Sequence, residues 1–146
     1  MDLVTMILAC SVYPKNAVVN AMVEINSQNN PYVISGEPFK TEDQALSKVD
    51  QLKAAGQAFE IGLMQIPDFW LTTKTVPMSM DELLRPCKNM VLATQILNQL
   101  TDECNGSETC ALSMYKTNDK TAGLDYANQV ITYANAHPFV APPPLE

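Results

Sequence analysis

The run Gly62-Leu63-Met64-Gln65-Ile66 constrains this chain more than any other stretch. It follows the apolar approach Phe59-Glu60-Ile61, yet its glycine and its amide have no core-packing purpose. An amide between apolar neighbours needs hydrogen-bond partners if it is buried. Phe59 to Ile66 therefore reads as a small β element in a chain whose remaining punctuation is helical. After Pro14, residues Ala17 to Ser27 carry helical apolar spacing. Asn29-Asn30-Pro31 stops that helix, because proline excludes the helical conformation of the residue before it. Tyr32 to Lys40, with Gly36 and Pro38, reads as a loop or short hairpin arm.

Thr41-Glu42-Asp43-Gln44 is a capping box, with Thr41 as N-cap and Gln44 as its reciprocal partner. It opens a helix with Ala45, Leu46, Val49 and Leu52 on one face, closed by Gly56. Ser79-Met80-Asp81-Glu82 is a second box, opening a short helix that ends before Pro86. A longer helix is expected over Lys88 to Leu100, with Met90, Val91, Leu97 and Leu100 near its buried side. Two more follow, over about Glu108 to Lys116 and Thr121 to Ala136, before Pro142-Pro143-Pro144. The fold class is α+β, mainly α, with a small β element.

The 146 residues suffice for one domain with an ordinary core. One domain over 1–137 is expected, with a Pro-rich tail over 138–146 whose end, Leu145-Glu146, reads as a cloning scar. A net charge of −7 without Lys/Arg clusters argues against nucleic acid or an anionic membrane as partner. A neutral or mixed-charge polymer such as glycan fits better. No apolar run approaches the roughly 20 residues of a membrane span.

Cys10, Cys87, Cys104 and Cys110 form an even set with no CxxC pair and a lone histidine, His137. A tetrahedral metal site wants closer ligand spacing, so no metal and no cofactor is expected. Cys104 and Cys110 bracket Asn105-Gly106-Ser107, a turn-forming stretch that can let a short loop close. Two disulfides and an oxidising compartment are the expectation; the alternative is four reduced, buried thiols. At the start, Ile7-Leu8-Ala9-Cys10 resembles a lipoprotein cleavage box. Asp2 stands where a basic segment belongs, however, and no Lys or Arg precedes Lys15. The segment reads as the first helix of a mature domain already freed of its signal peptide.

Five motifs now stand in order: Cys10; Asn26-Ser27-Gln28-Asn29-Asn30-Pro31-Tyr32; Gly62 to Ile66; Pro86-Cys87; and Ala111-Leu112-Ser113-Met114-Tyr115 followed by Gly123-Leu124-Asp125-Tyr126-Ala127. Together they resemble the soluble lytic transglycosylases, and most of all those of type IV secretion systems. The resemblance implies a lysozyme-like fold and cleavage of the MurNAc-GlcNAc bond of peptidoglycan, leaving 1,6-anhydro ends. It implies a periplasmic or secreted monomer that opens the cell wall for a secretion or conjugation apparatus, with glycan strands and secretion-system subunits as partners. It also implies that Cys10 pairs with Cys87, leaving Cys104 for Cys110. By the same resemblance Ser27, Met64, Gln65 and Tyr115 line the cleft and orient the glycan. Each has a plainer alternative: Met64 as core, Ser27 as a helix-end cap, Tyr115 as a buried aromatic.

Where that family carries its catalytic Glu, this chain has Asn26. An amide cannot deliver a proton at neutral pH. Glu24 is near in sequence, but residues two apart on a helix point about 200° apart, so it leaves on another face. Glu60 is expected to support the site at most. Lys116 and Asn118 also depart from the family's usual Asn and Gly. Asn118 tolerates a left-handed backbone and can keep the turn, while Lys116 is expected to change a substrate contact. Three readings follow: an enzyme whose acid has been replaced, leaving it inactive; a natural pseudoenzyme that binds peptidoglycan or a secretion-system subunit; and a secreted helical disulfide protein unrelated to glycan.

Overall fold

A computed structural model describes residues 2–72 and 78–143; the Leu145-Glu146 end lies outside them. The chain starts with α1 (Leu3–Cys10), capped by the Asp2 carboxylate accepting from Thr5 N at 2.8 Å. α2 (Asn16–Ser27) buries Val18, Val19, Ala21, Met22 and Val23. It ends as the Asn-Asn-Pro signal requires: Gln28 and Asn29 take left-handed backbone, and Asn30 Oδ1 accepts from Tyr32 N at 2.8 Å.

The β element is wider than the sequence suggested. β1 (Val33–Ile34), β2 (Glu37–Pro38), β3 (Glu60–Ile61) and β4 (Ile66–Pro67) form one four-stranded antiparallel sheet in the order β2-β1-β3-β4. Strands this short carry no readable alternation, so the hairpin arm and the Gly62–Ile66 turn look unrelated in sequence although they pair in space.

Between them runs α3 (Glu42–Ala54), with Thr41 Oγ1 accepting from Gln44 N at 3.2 Å. Gln44 reaches back to Lys40 N, one residue beyond the expected partner. α4 (Phe69–Thr72), too short to leave a periodic signal, holds Trp70, whose Nε1 donates to the Tyr115 carbonyl at 2.9 Å. α5 (Met80–Leu83) opens on the Ser79–Glu82 capping box.

α6 (Pro86–Glu103) starts two residues earlier than expected, because proline is well placed at a first helical position. α7 (Glu108–Thr117) ends on Asn118, which adopts φ 60° and keeps the left-handed turn. α8 (Leu124–Ala136) starts later than the expected Thr121. There the Asp119 carboxylate collects the Thr121 and Ala122 amides into a turn of its own. α7 packs on α6 and α8, and α8 on α2, while the sheet meets the helices through α3 against β1 and through α4 and α7 against β4.

Cys10 is joined to Cys87, tying α1 onto the start of α6, and Cys104 to Cys110, closing the turn between α6 and α7. No helix among the described residues is long and apolar enough to cross a membrane.

Candidate active site

Asn26 sits in the last turn of α2, half-buried, where helix and sheet meet. Its Nδ2 donates to the Met64 carbonyl at 3.0 Å, and the Tyr115 hydroxyl donates to the same oxygen at 2.7 Å. Around Asn26 opens a cleft of about 390 Å³, walled by the Ser35-Gly36 turn, Glu60, Gln65, Lys116, Tyr126 and Gln129. Glu24 is not among its lining residues.

Gln65 is the stitch of the sheet. Buried to 3% exposure at φ 45°, it donates to the carbonyls of Val33 and Gly62 and accepts from Gly36 N at 2.9 Å. Its amide thus finds the partners that burial demands, all on the backbone. Gln65 lines the cleft as a brace that fixes the hairpin turn over it.

Three other residues expected to line the cleft stand behind its wall. Ser27 returns its hydroxyl to the Val23 carbonyl at 3.1 Å, the local helix-end bond that such residues favour. The Met64 side chain is fully buried in the core and offers only its carbonyl to the site. Tyr115 is also fully buried, and burial pushes its phenol well above the ordinary value. Ser27, Met64 and Tyr115 therefore stand behind the lining residues, and the Met64 carbonyl links Tyr115 to Asn26.

Asn89 on α6 has the largest structural role that sequence reading missed. Fully buried, it accepts from Met64 N at 2.8 Å and donates to the carbonyls of Ile61 and Leu83. The signal was an amide on a helix stripe that continues through Ala93, Ile96 and Leu97, all buried. Gly62, at φ 82°, packs against that amide: a Cβ there would collide with the Asn89 side chain and come within 2.9 Å of the Leu83 carbonyl. Gly62→Ala should therefore lose about 2–4 kcal/mol, from left-handed strain plus stranded hydrogen bonds. Gly36→Ala, at φ 80° with nothing within 4 Å, should lose only the strain. Urea denaturation showing equal losses for the two would remove Asn89 from this role.

Glu60 is the one carboxylate among the described residues lining the cleft. Both its oxygens accept from the Lys116 ammonium, at 2.8 and 2.9 Å. The Lys116 ammonium also lies 5.5 Å from the centre of the Tyr126 ring. Tyr126 turns its buried hydroxyl toward Asn26 without reaching hydrogen-bond geometry to any group. Burial raises that phenol far above its ordinary range. The cleft thus holds the Asn26 amide, the unpartnered Tyr126 hydroxyl and the Glu60–Lys116 ion pair. A longer groove of about 750 Å³ runs down α8 from Ile25 and Gln129, which also line the cleft.

The family model of the transglycosylase SLT domain matches residues 11–132, a span that includes every cleft residue from Asn26 to Gln129. Neither the curated proteins nor the solved structures contain a match to the chain.

Proposed function

The chain belongs to the transglycosylase SLT family, and we propose that it is a peptidoglycan lytic transglycosylase in which Asn26 holds the place of the catalytic acid. Family membership carries the substrate, peptidoglycan outside the cytoplasm, and the lysozyme-like, mainly helical fold. The observation that carries the finer reading is the position of Asn26: it lies in the last turn of α2, lines the cleft and donates to the Met64 carbonyl.

Glycosidic cleavage needs a proton on the departing oxygen as an oxocarbenium-like centre develops. In a lytic transglycosylase one carboxylic acid gives that proton to the leaving sugar. It then takes a proton from the 6-hydroxyl of the remaining sugar while that oxygen attacks C1, closing the 1,6-anhydro ring. An acid at position 26 would face the Met64 carbonyl, which can accept from a protonated carboxyl and repels an ionised one. That contact favours the neutral, proton-bearing form. Asn26 satisfies the same carbonyl and carries no transferable proton, so the chain as it stands binds glycan and does not turn it over.

The two disulfides fit an oxidising compartment, periplasmic or secreted. A single domain over 1–137 opening the wall for a secretion apparatus remains the best-fitting role. A pseudoenzyme reading, a peptidoglycan-binding or assembly module, draws support from the Glu60–Lys116 pair, which neutralises the cleft's carboxylate. Peptidoglycan digested with this chain and analysed by mass spectrometry for 1,6-anhydro ends tests the main reading. Release at the rate of an active family member would sink it.

Binding gives a separate check. Asn26 leaves the cleft open, so oligomers of N-acetylated sugar should bind without being cut. Gln65→Ala should weaken that binding and lower stability together, since it frees the Ser35-Gly36 turn, strands Gly36 N, and takes one of two donors from each of the Val33 and Gly62 carbonyls. Calorimetric titration with unchanged affinity would place the glycan elsewhere.

A further inference from the structure

We propose that Glu60 is a positioning residue: it fixes the Lys116 ammonium on its own carboxylate and so keeps that positive charge from pairing with the side chain at position 26. The inference rests on position 26 being the reacting position.

The geometry is a short circuit of charge around one point. Lys116, near the end of α7, lines the same cleft as Asn26. Its ammonium lies over the Tyr126 ring, and the hydroxyl of that ring is turned toward Asn26. The four-carbon stem of lysine is flexible, so an untethered ammonium can follow the ring toward its hydroxyl end. What holds it back is a doubled contact: both Glu60 oxygens lie within 2.9 Å of Nζ. Glu60 and Lys116 are 23% and 37% exposed, so water screens the pair only in part.

Among the described residues, the groups facing position 26 are few. α8 supplies Tyr126, α7 supplies Lys116 and, behind the Met64 carbonyl, Tyr115, and β3 supplies Glu60. Both phenols stay protonated far above neutral pH, because burial raises them. Lys116 and Glu60 are therefore the charges that can act there. Tied together they cancel. Released, the ammonium would favour an ionised carboxyl at position 26 and strip the acid of its proton too early. An acid in this cleft works near neutrality only while Glu60 occupies Lys116.

The test uses the full chain carrying Asn26→Glu, with ¹³C-labelled glutamate, and follows titration of the introduced carboxyl by NMR. Adding Glu60→Gln should move that titration down by about one to three pH units, the effect of an opposite charge arriving within a few ångströms. Adding Lys116→Met to both should bring it back. Lys116→Met with Glu60 intact should move it the other way, because an unpaired carboxylate disfavours a second one. In peptidoglycan digests the alkaline limb of the pH profile should shift with each titration. At neutral pH, cleavage should drop about tenfold per unit. A carboxyl that titrates at the same pH with and without Glu60→Gln, or that does not recover when Lys116 is removed, overturns the proposal. The NMR titration decides this in a chain that cuts nothing, whereas lack of cleavage by Asn26→Glu at every pH counts against the catalytic reading alone.

Discussion

Asn26→Glu is expected to turn this chain into a glycan-cutting enzyme, releasing 1,6-anhydro ends with no added metal. General acid catalysis typically contributes about 10²–10⁴-fold, so the chain as it stands should be slower by at least that margin. The cleft already has what the acid needs. Tyr115 and Met64 close its floor from the core side, and the Met64 carbonyl waits at 3.0 Å from the present amide. The Tyr126 hydroxyl lacks a partner and faces the same place, so a carboxyl oxygen would give it one. Glu24→Gln in the restored enzyme should change little, since Glu24 does not line the cleft. Anhydro-muropeptides counted by mass spectrometry decide the matter. If the chain with Asn26 already cuts, and Glu24→Gln abolishes the cutting, the register that places Asn26 at the acid position is wrong and Glu24 is the acid.

The helices could be read because their signals are local. The stop at Asn29-Asn30-Pro31 and the caps at Thr41 and Ser79 act over four residues, and each is where those residues put it. The site was legible only in part, because its bonds are not local. Burial of Gln65 demanded partners, but nothing near it says that they lie on Val33 and Gly36. Lys116 was expected to change a substrate contact; it lines the cleft paired with Glu60, 56 positions earlier, and no pattern of charge along a helix reports that pair. Tyr115 follows the helical rule for buried aromatics, and only the fold reveals that its hydroxyl shares a carbonyl with Asn26. Sequence position picked Gln65, which lines the cleft, together with Ser27, Met64 and Tyr115, which stand behind it, and it did not separate the two kinds.

Loss of the Cys10–Cys87 bond should cost far more stability than loss of Cys104–Cys110. The first spans 77 positions and the second 6. If cross-links act by restricting the unfolded chain, loop lengths of that order correspond to roughly 4–5 and 2–3 kcal/mol. The structure adds a reason of its own. An eight-residue helix such as α1 is marginal in isolation, and its hold on the rest is Ile7 and Cys10 in the core, Leu3 and Met6 packed against it, and this single bond to α6. A Cys10→Ser/Cys87→Ser chain should therefore melt at a much lower temperature than a Cys104→Ser/Cys110→Ser chain. Yet it should bind glycan oligomers normally at temperatures where both remain folded, because neither α1 nor the start of α6 lines the cleft. Calorimetry and oligomer titration on the two variants separate the effects. Equal melting points would mean that α1 is held by packing alone. A loss of affinity confined to the first variant would mean that α1 reaches the site through α2, against which it packs.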